Sequence, residues 1–145
     1  MYGLALIHGF FAAAAAVLVQ VIFLFFADSS FDVPPSVFLL LGAATLEEGS
    51  RLIFLIQLAK NSPRTTSFLH VLLFGLGFIA VEFSLLILSP SDLPGIGLIA
   101  QTALIHLFGT IALYTGLRFR KDFFFAPYFA LLTAILFHTL YNASL

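Results

Sequence analysis

Five apolar segments alternate with four short polar breaks along the chain. Each segment contains about 20 predominantly apolar residues, the length that an α-helix needs to cross the hydrocarbon core of a membrane. Three of the breaks contain the proline, serine, asparagine or aspartate residues that are typical of turns. The pattern therefore predicts five transmembrane helices, at approximately residues 3–26, 36–59, 67–88, 96–117 and 123–143.

The segments do not show the strict alternation of β-strands, and runs of this length are unusual for the strands of a membrane barrel. We therefore expect an all-α integral membrane protein that forms a single membrane domain over residues 1–145. Within the first segment, the run from Ala12 to Ala16 is expected to form a small-residue face for close helix packing.

The composition supports this prediction and excludes several classes of protein. Hydrophobic residues make up 61% of the chain and charged residues 9%, whereas soluble domains have roughly 45–50% and 25%. So few charges cannot cover the surface of a soluble enzyme, and they exclude a disordered chain or a coiled coil. The net charge of −1 gives no indication of nucleic-acid binding. The absence of cysteine excludes disulfides and thiolate nucleophiles.

Basic residues are distributed unevenly among the breaks. Lys60 and Arg64 lie between the second and third segments, and Arg118, Arg120 and Lys121 lie between the fourth and fifth. The charged residues of the other two breaks are all aspartates. Because lysine and arginine are retained on the cytoplasmic side of a membrane, the N-terminus is predicted to be cytoplasmic and the C-terminus to lie outside.

Several polar side chains lie inside the predicted spans. Each charged group at the centre of a bilayer costs about 2.5–3.5 kcal/mol, so these groups must pair, become neutral or face a hydrated cavity. Counting about 1.5 Å of rise per residue places all of them in one slab, from mid-membrane to the outer third. We therefore predict one site, which contains Glu47, Glu48, Arg51, Glu82, His106, His138 and Asn142.

The types of residue in this slab narrow the chemistry of the predicted site. No HExxH motif, no aspartate within a span and no GxSxG motif is present, which disfavours zinc-protease, aspartyl-protease and serine-protease sites. A glutamate can act as a general base, and His138 and Asn142 lie one turn apart, where both can donate to an oxyanion. Glu48, His106 and His138 could instead bind Zn as a mixed nitrogen and oxygen site.

Two further expectations concern charge. Arg51 lies three and four residues after Glu48 and Glu47, so it is expected to pair with one glutamate and leave the other free for chemistry. A carrier of ions or protons is disfavoured, because the cytoplasmic halves of the spans contain almost no polar residue other than His70.

Four motifs resemble those of a known group of membrane proteins. Residues 47–51, EEGSR, resemble the EExx[KR] motif of PrsW-type intramembrane proteases and the related EExxxR motif of the CAAX-processing and bacteriocin-processing (CPBP, or Abi) proteases. Residues 74–82, FGLGFIAVE, resemble the PrsW segment FGxGFAxxE. His106 has a position similar to the lone histidine of the family, and residues 138–142 resemble its closing HxxxN motif. The resemblance covers residues 40 to 145, and the order of the motifs matches.

The resemblance implies a hydrolase, an intramembrane endopeptidase of glutamic type that needs no cofactor. It acts on transmembrane or membrane-anchored proteins, in contact with membrane lipid, in a plasma membrane of prokaryotic type. By position, Glu47 or Glu48 would be the base, Glu82 would help to position water, and His106 would line the site. His138 and Asn142 would be the oxyanion donors.

The second to fifth spans would then form a four-helix catalytic-type core, with the first helix packed at its side. A more distant similarity to the scaffold subunit of gamma-secretase implies the alternative, a catalytically silent membrane scaffold that binds transmembrane segments.

Overall fold

The computed structural model describes residues 2–27, 36–61, 67–88 and 95–144, and in these ranges the regular secondary structure consists of α-helices without strands. Every helix begins and ends within three residues of a predicted segment, because long apolar runs in a membrane protein satisfy their backbone hydrogen bonds internally. The helices are α1 (Tyr2–Ala27), α2 (Val37–Asn61), α3 (Phe68–Leu88), α4 (Ile96–Phe119) and α5 (Ala126–Ala143).

Three of the five helices are long and apolar enough to cross a membrane, namely α1, α3 and α4. Large apolar side chains are exposed on the outer surface of the bundle, among them Phe26, Leu88 and Ile96, which is the surface that lipid would cover. These features indicate an integral membrane protein. Helix α2 differs because it contains three charged residues within two turns. Helix α5 differs because its 18 residues include two tyrosines, His138 and Asn142.

The helices form a closed ring in the spatial order α2, α1, α3, α4, α5, and α4 also contacts α2 across the ring. Helix α1 separates α2 from α3, since in the described residues no Cα atom of α2 lies within 8 Å of α3. Helices α3, α4, α5 and α2 contact one another in that order, and α1 packs against α2 and α3 and closes the ring. Alanines of α1 belong to the same buried cluster as Leu55, Phe78 and Leu113.

Small residues explain why α1 occupies this position. Ala12, Ala13 and Ala16 are fully buried, which confirms the close packing expected of this run. Gly9 faces the backbone of Phe74, and Gly77 faces the backbone of Leu6, with no room for a Cβ atom at either glycine. Because α1 and α3 approach this closely, α1 is inserted into the wall of the bundle.

Candidate functional site

The helical spacing of the EEGSR segment places two carboxylates and one guanidinium on a single inward face of α2. The exposed fractions of Glu47, Glu48 and Arg51 are 5%, 1% and 0%. The Nη1 group of Arg51 donates to both carboxylate oxygens of Glu48, at 2.7 and 2.8 Å. Its Nη2 group donates to Oε1 of Glu47 at 2.9 Å. The expectation that one glutamate remains free of Arg51 is therefore wrong, because the planar guanidinium has two terminal nitrogens that reach both carboxylates at once.

Two histidines from other helices complete the cluster. His106 on α4 has its Nδ1 atom 2.8 Å from Nη2 of Arg51 and 3.2 Å from Oε1 of Glu47. His138 on α5 has its Nδ1 atom 2.9 Å from Oε1 of Glu48 and 3.5 Å from Oε1 of Glu47. The two imidazole rings meet edge to face, with their centroids 5.3 Å apart. Helices α2, α4 and α5 are therefore joined through one buried polar network.

The hydrogen bond between Arg51 and His106 defines how this histidine is protonated. A guanidinium can only donate, so Nδ1 of His106 accepts the hydrogen bond and its ring proton lies on Nε2. His106 is thus a neutral acceptor toward Arg51 and presents an N–H group on the opposite edge of its ring.

Gly109 and Phe78 provide the space around the guanidinium. A Cβ atom at Gly109 would lie 2.6 Å from Nη1 of Arg51 and 3.1 Å from Oε2 of Glu48. On the other side, the ring centroid of Phe78 lies 4.1 Å from Cζ of Arg51, in cation–π geometry. The Nε–H group of Arg51 is buried without a hydrogen-bond partner in the described part of the chain, so protein groups do not fully satisfy the guanidinium.

Helix α1 contributes a residue that the sequence analysis missed. Gln20 donates from Nε2 to Oε2 of Glu47 at 3.2 Å and to the carbonyl oxygen of Ala43 at 3.1 Å. Gln20 is recognisable in the sequence as an amide side chain in an otherwise apolar part of the first span. The motif resemblance does not include it, because that resemblance begins only at residue 40.

Two predicted site residues lie outside the hydrogen-bonded network. Glu82 on α3 is half-buried and lies within electrostatic range of Glu47, Arg51 and His138, but it forms no hydrogen bond with any described residue. Asn142 on α5 is half-buried, and its side chain forms no hydrogen bond within the described ranges. The neighbouring Tyr141 instead bonds the hydroxyl of Thr102 at 2.6 Å and links α5 to α4. Glu82 therefore lies at the edge of the cluster, and Asn142 lies one turn beyond His138.

The fit of a metal ion can be judged from the same distances. Glu47, His106 and His138 each offer a ligand atom, and these atoms lie within 4.8 Å of one another; the sequence had named Glu48 in place of Glu47. Arg51 already bonds Oε1 of Glu47 and Nδ1 of His106 through a single nitrogen. A metal ion that used those two atoms would have to displace the guanidinium from both of them.

No protein-family model, curated protein or solved structure matches the chain. The similarity to PrsW-type and CPBP proteases therefore depends on the motif residues themselves.

Proposed function

We propose that the chain is an intramembrane endopeptidase of glutamic type that hydrolyses a membrane-linked protein or peptide. The observation that carries this proposal is the convergence of two α2 carboxylates with imidazoles from α4 and α5 in one buried cluster. Burying so many ionisable groups is costly, and functional sites are where such groups concentrate. The order of the PrsW-like motifs along the chain supports the same activity.

The two α2 glutamates have different roles in this proposal. Glu48 is an anchor, because Arg51 binds both of its oxygens and His138 binds one of them. Glu47 is the general base, because Arg51 binds only its Oε1 atom, whereas in the described part of the chain Oε2 is held only by the neutral amide of Gln20. Glu47 accepts a proton from water while the water oxygen attacks the peptide carbonyl, and it then transfers that proton to the leaving amine.

Glu82 and the two donors of α5 would act around this base. Glu82 has no hydrogen-bond partner among the residues that the structure describes and lies at the accessible edge of the cluster, where it can orient the attacking water. Because Nδ1 of His138 contacts Glu48, only Nε2 remains for an oxyanion, and it can donate in the imidazolium form. Asn142 supplies the second donor from the next turn of α5. His106 lines the site and directs its Nε2–H group away from Arg51.

We further propose that α2 and α5 also cross the membrane, which gives five spans. Both helices pack against helices that are apolar enough to do so, and the ionisable groups in their central turns, Glu47, Glu48, Arg51 and His138, are buried. The end of the bundle where α2 and α4 finish carries four basic residues, Lys60, Arg118, Arg120 and Lys121. Because basic residues are retained on the cytoplasmic side, this distribution favours a cytoplasmic N-terminus and an outside C-terminus. Arg64, Asp28, Asp32 and Asp92 lie outside the described residues. A prokaryotic-type plasma membrane is the proposed location.

The test is a cleavage assay with the purified chain in lipid nanodiscs and a panel of transmembrane and membrane-anchored peptides. The parent protein should cleave at least one peptide close to its membrane boundary. Glu47→Gln should abolish turnover but lower the thermal midpoint less than Glu48→Gln does, because the glutamine oxygen can still accept from Arg51 while the base is removed. Glu48→Gln should lower the thermal midpoint, because it weakens the Arg51 and His138 contacts together.

One observation favours a second candidate, the catalytically silent scaffold. Arg51 binds both α2 carboxylates. A paired network of this kind can have a purely structural role, in which it joins the helices and takes no part in catalysis. An apolar groove of about 450 Å³ between α4 and α5, lined by Phe108, Gly116 and Phe129 among others, would then receive a transmembrane segment. Peptide binding without cleavage, unaffected by Glu47→Gln, would favour the scaffold over the protease.

A further inference from the structure

A second polar site lies at the end of the bundle where α2 and α4 finish. A pocket of about 570 Å³ opens there, a size typical of small-ligand sites. Its wall contains four basic side chains together with apolar and aromatic ones, namely Ile56, Ala59, Lys60, Tyr114, Leu117, Arg118, Arg120 and Lys121.

This pocket is separate from the candidate active site. Lys60 is nine residues beyond Arg51 on α2, and Arg118 is twelve residues beyond His106 on α4. At a rise of about 1.5 Å per residue, these spacings correspond to roughly 14 and 18 Å. No residue of the glutamate and histidine cluster lines the pocket.

The four cations have no counter-ion in the described part of the chain. None of Lys60, Arg118, Arg120 and Lys121 forms an ion pair with a described carboxylate, although Asp122 follows them directly in the sequence. Four unneutralised charges around one concave site create a positive field that attracts an anion. The wall also has an apolar part, formed by Ile56, Ala59 and Leu117. This part can contact an apolar portion of the ligand next to its anionic group.

We propose that this pocket binds the phosphate-bearing headgroup of an anionic phospholipid. The arginines and lysines contact the phosphate, with arginine offering paired donors to its oxygens. The apolar wall contacts the glycerol and the first methylenes of the acyl chains. Basic pockets between helices at the cytoplasmic side of membrane proteins commonly bind such headgroups. The chemistry also accommodates free phosphate, but free phosphate makes no use of the apolar wall.

The simplest competing role for these cations is local. Basic side chains near the end of a helix interact favourably with its last carbonyl groups, and Lys60 and Arg118 both lie in the last turn of a helix. That role would stabilise the helices equally in every lipid, and it requires no preference for an anionic headgroup.

The experiment measures lipid binding by native mass spectrometry of the full chain in neutral detergent micelles. Three probes are titrated separately: short-chain phosphatidylglycerol, short-chain phosphatidylcholine and inorganic phosphate. The parent protein should prefer phosphatidylglycerol over both other probes. Arg118→Gln with Arg120→Gln should weaken phosphatidylglycerol binding by about 30-fold, since each basic residue near a membrane surface contributes roughly a fivefold factor. Arg118→Lys with Arg120→Lys is the matched control and should retain most of the preference.

Lys60→Gln is a second variant, for use if the double glutamine protein does not fold. It should weaken phosphatidylglycerol binding about fivefold, and it tests a residue of α2 rather than of α4. Equal binding of the two lipids by the parent protein would overturn the proposal. Inorganic phosphate that binds as tightly as phosphatidylglycerol would overturn the lipid as ligand. Variants with a lower thermal midpoint but unchanged phosphatidylglycerol affinity would show that the cations only cap helices, which also overturns it.

Discussion

The Nη2 group of Arg51 lies 2.8 Å from Nδ1 of His106 and joins α2 to α4 inside the bundle. The same nitrogen lies 2.9 Å from Oε1 of Glu47. The Nη2 amino group therefore donates to a carboxylate on α2 and to an imidazole on α4. Arg51 is therefore the centre of the polar cluster, where the sequence had suggested only a local ion pair.

Replacing Arg51 with methionine should strongly destabilise the protein. The substitution leaves two buried carboxylates and one imidazole without their common donor, and breaking a buried pair in this way costs about 3–5 kcal/mol. We expect a large fall in folded yield and in the thermal midpoint measured in detergent. Gln57→Met, at an exposed position of the same helix, is the control and should change neither. An Arg51→Met protein as stable as its parent would show that the cluster does not support the fold.

Gly109→Ala should displace the guanidinium. The added Cβ atom would lie 2.6 Å from Nη1 of Arg51, and both helices limit the space for relaxation. Overpacking of this kind typically costs about 1–3 kcal/mol, which a thermal unfolding scan would detect. Gly49→Ala is a matched control on the neighbouring helix, since a Cβ atom there meets nothing within 4 Å. That variant should be unchanged or more stable by about 0.5–1 kcal/mol.

Gln20→Leu should reveal the contribution of α1 to the site. Leucine has a similar size and suits the apolar surroundings of α1, but it cannot donate to Oε2 of Glu47. A hydrogen bond to a charged group is worth about 1.5–3 kcal/mol. If Glu47 is the base, we expect kcat to fall more than KM changes. Gln101→Leu, at an exposed position on α4, should behave like the parent protein. Equal kinetics for both variants would contradict a positioning role for Gln20.

Chelators should leave the parent protein unchanged. Because Arg51 holds Oε1 of Glu47 and Nδ1 of His106, we expect dialysis against 1,10-phenanthroline to alter neither the thermal midpoint nor any peptide cleavage. Elemental analysis before and after dialysis is the accompanying measurement. Loss of cleavage with chelator, restored by added Zn, would support the metal-binding arrangement of Glu47, His106 and His138 instead.

The positions of the helices could be predicted from the sequence because they depend on local properties. Each apolar run is long enough to form a helix whose backbone hydrogen bonds are satisfied internally, and turn residues separate most of the runs. The same holds for the shared face of Glu47, Glu48 and Arg51, since residues three and four apart lie on one side of any α-helix. Depth along the helix axes was equally predictable, because the rise per residue is constant.

The contacts between helices could not be predicted from the sequence in the same way. They depend on the rotation of each helix about its axis and on how closely the backbones approach. Both are decided by packing against segments that are distant in the sequence. Gly9 and Gly77 admit α1 between α2 and α3, which brings Gln20 to Glu47. Gly109 leaves the space in which Arg51 contacts both carboxylates and His106. The sequence by itself determined which polar groups lie within the helices and at what position along each helix axis. Only the tertiary structure decided which of them share a hydrogen bond, because a side-chain contact forms within about 3 Å and such distances depend on every helix that packs around it.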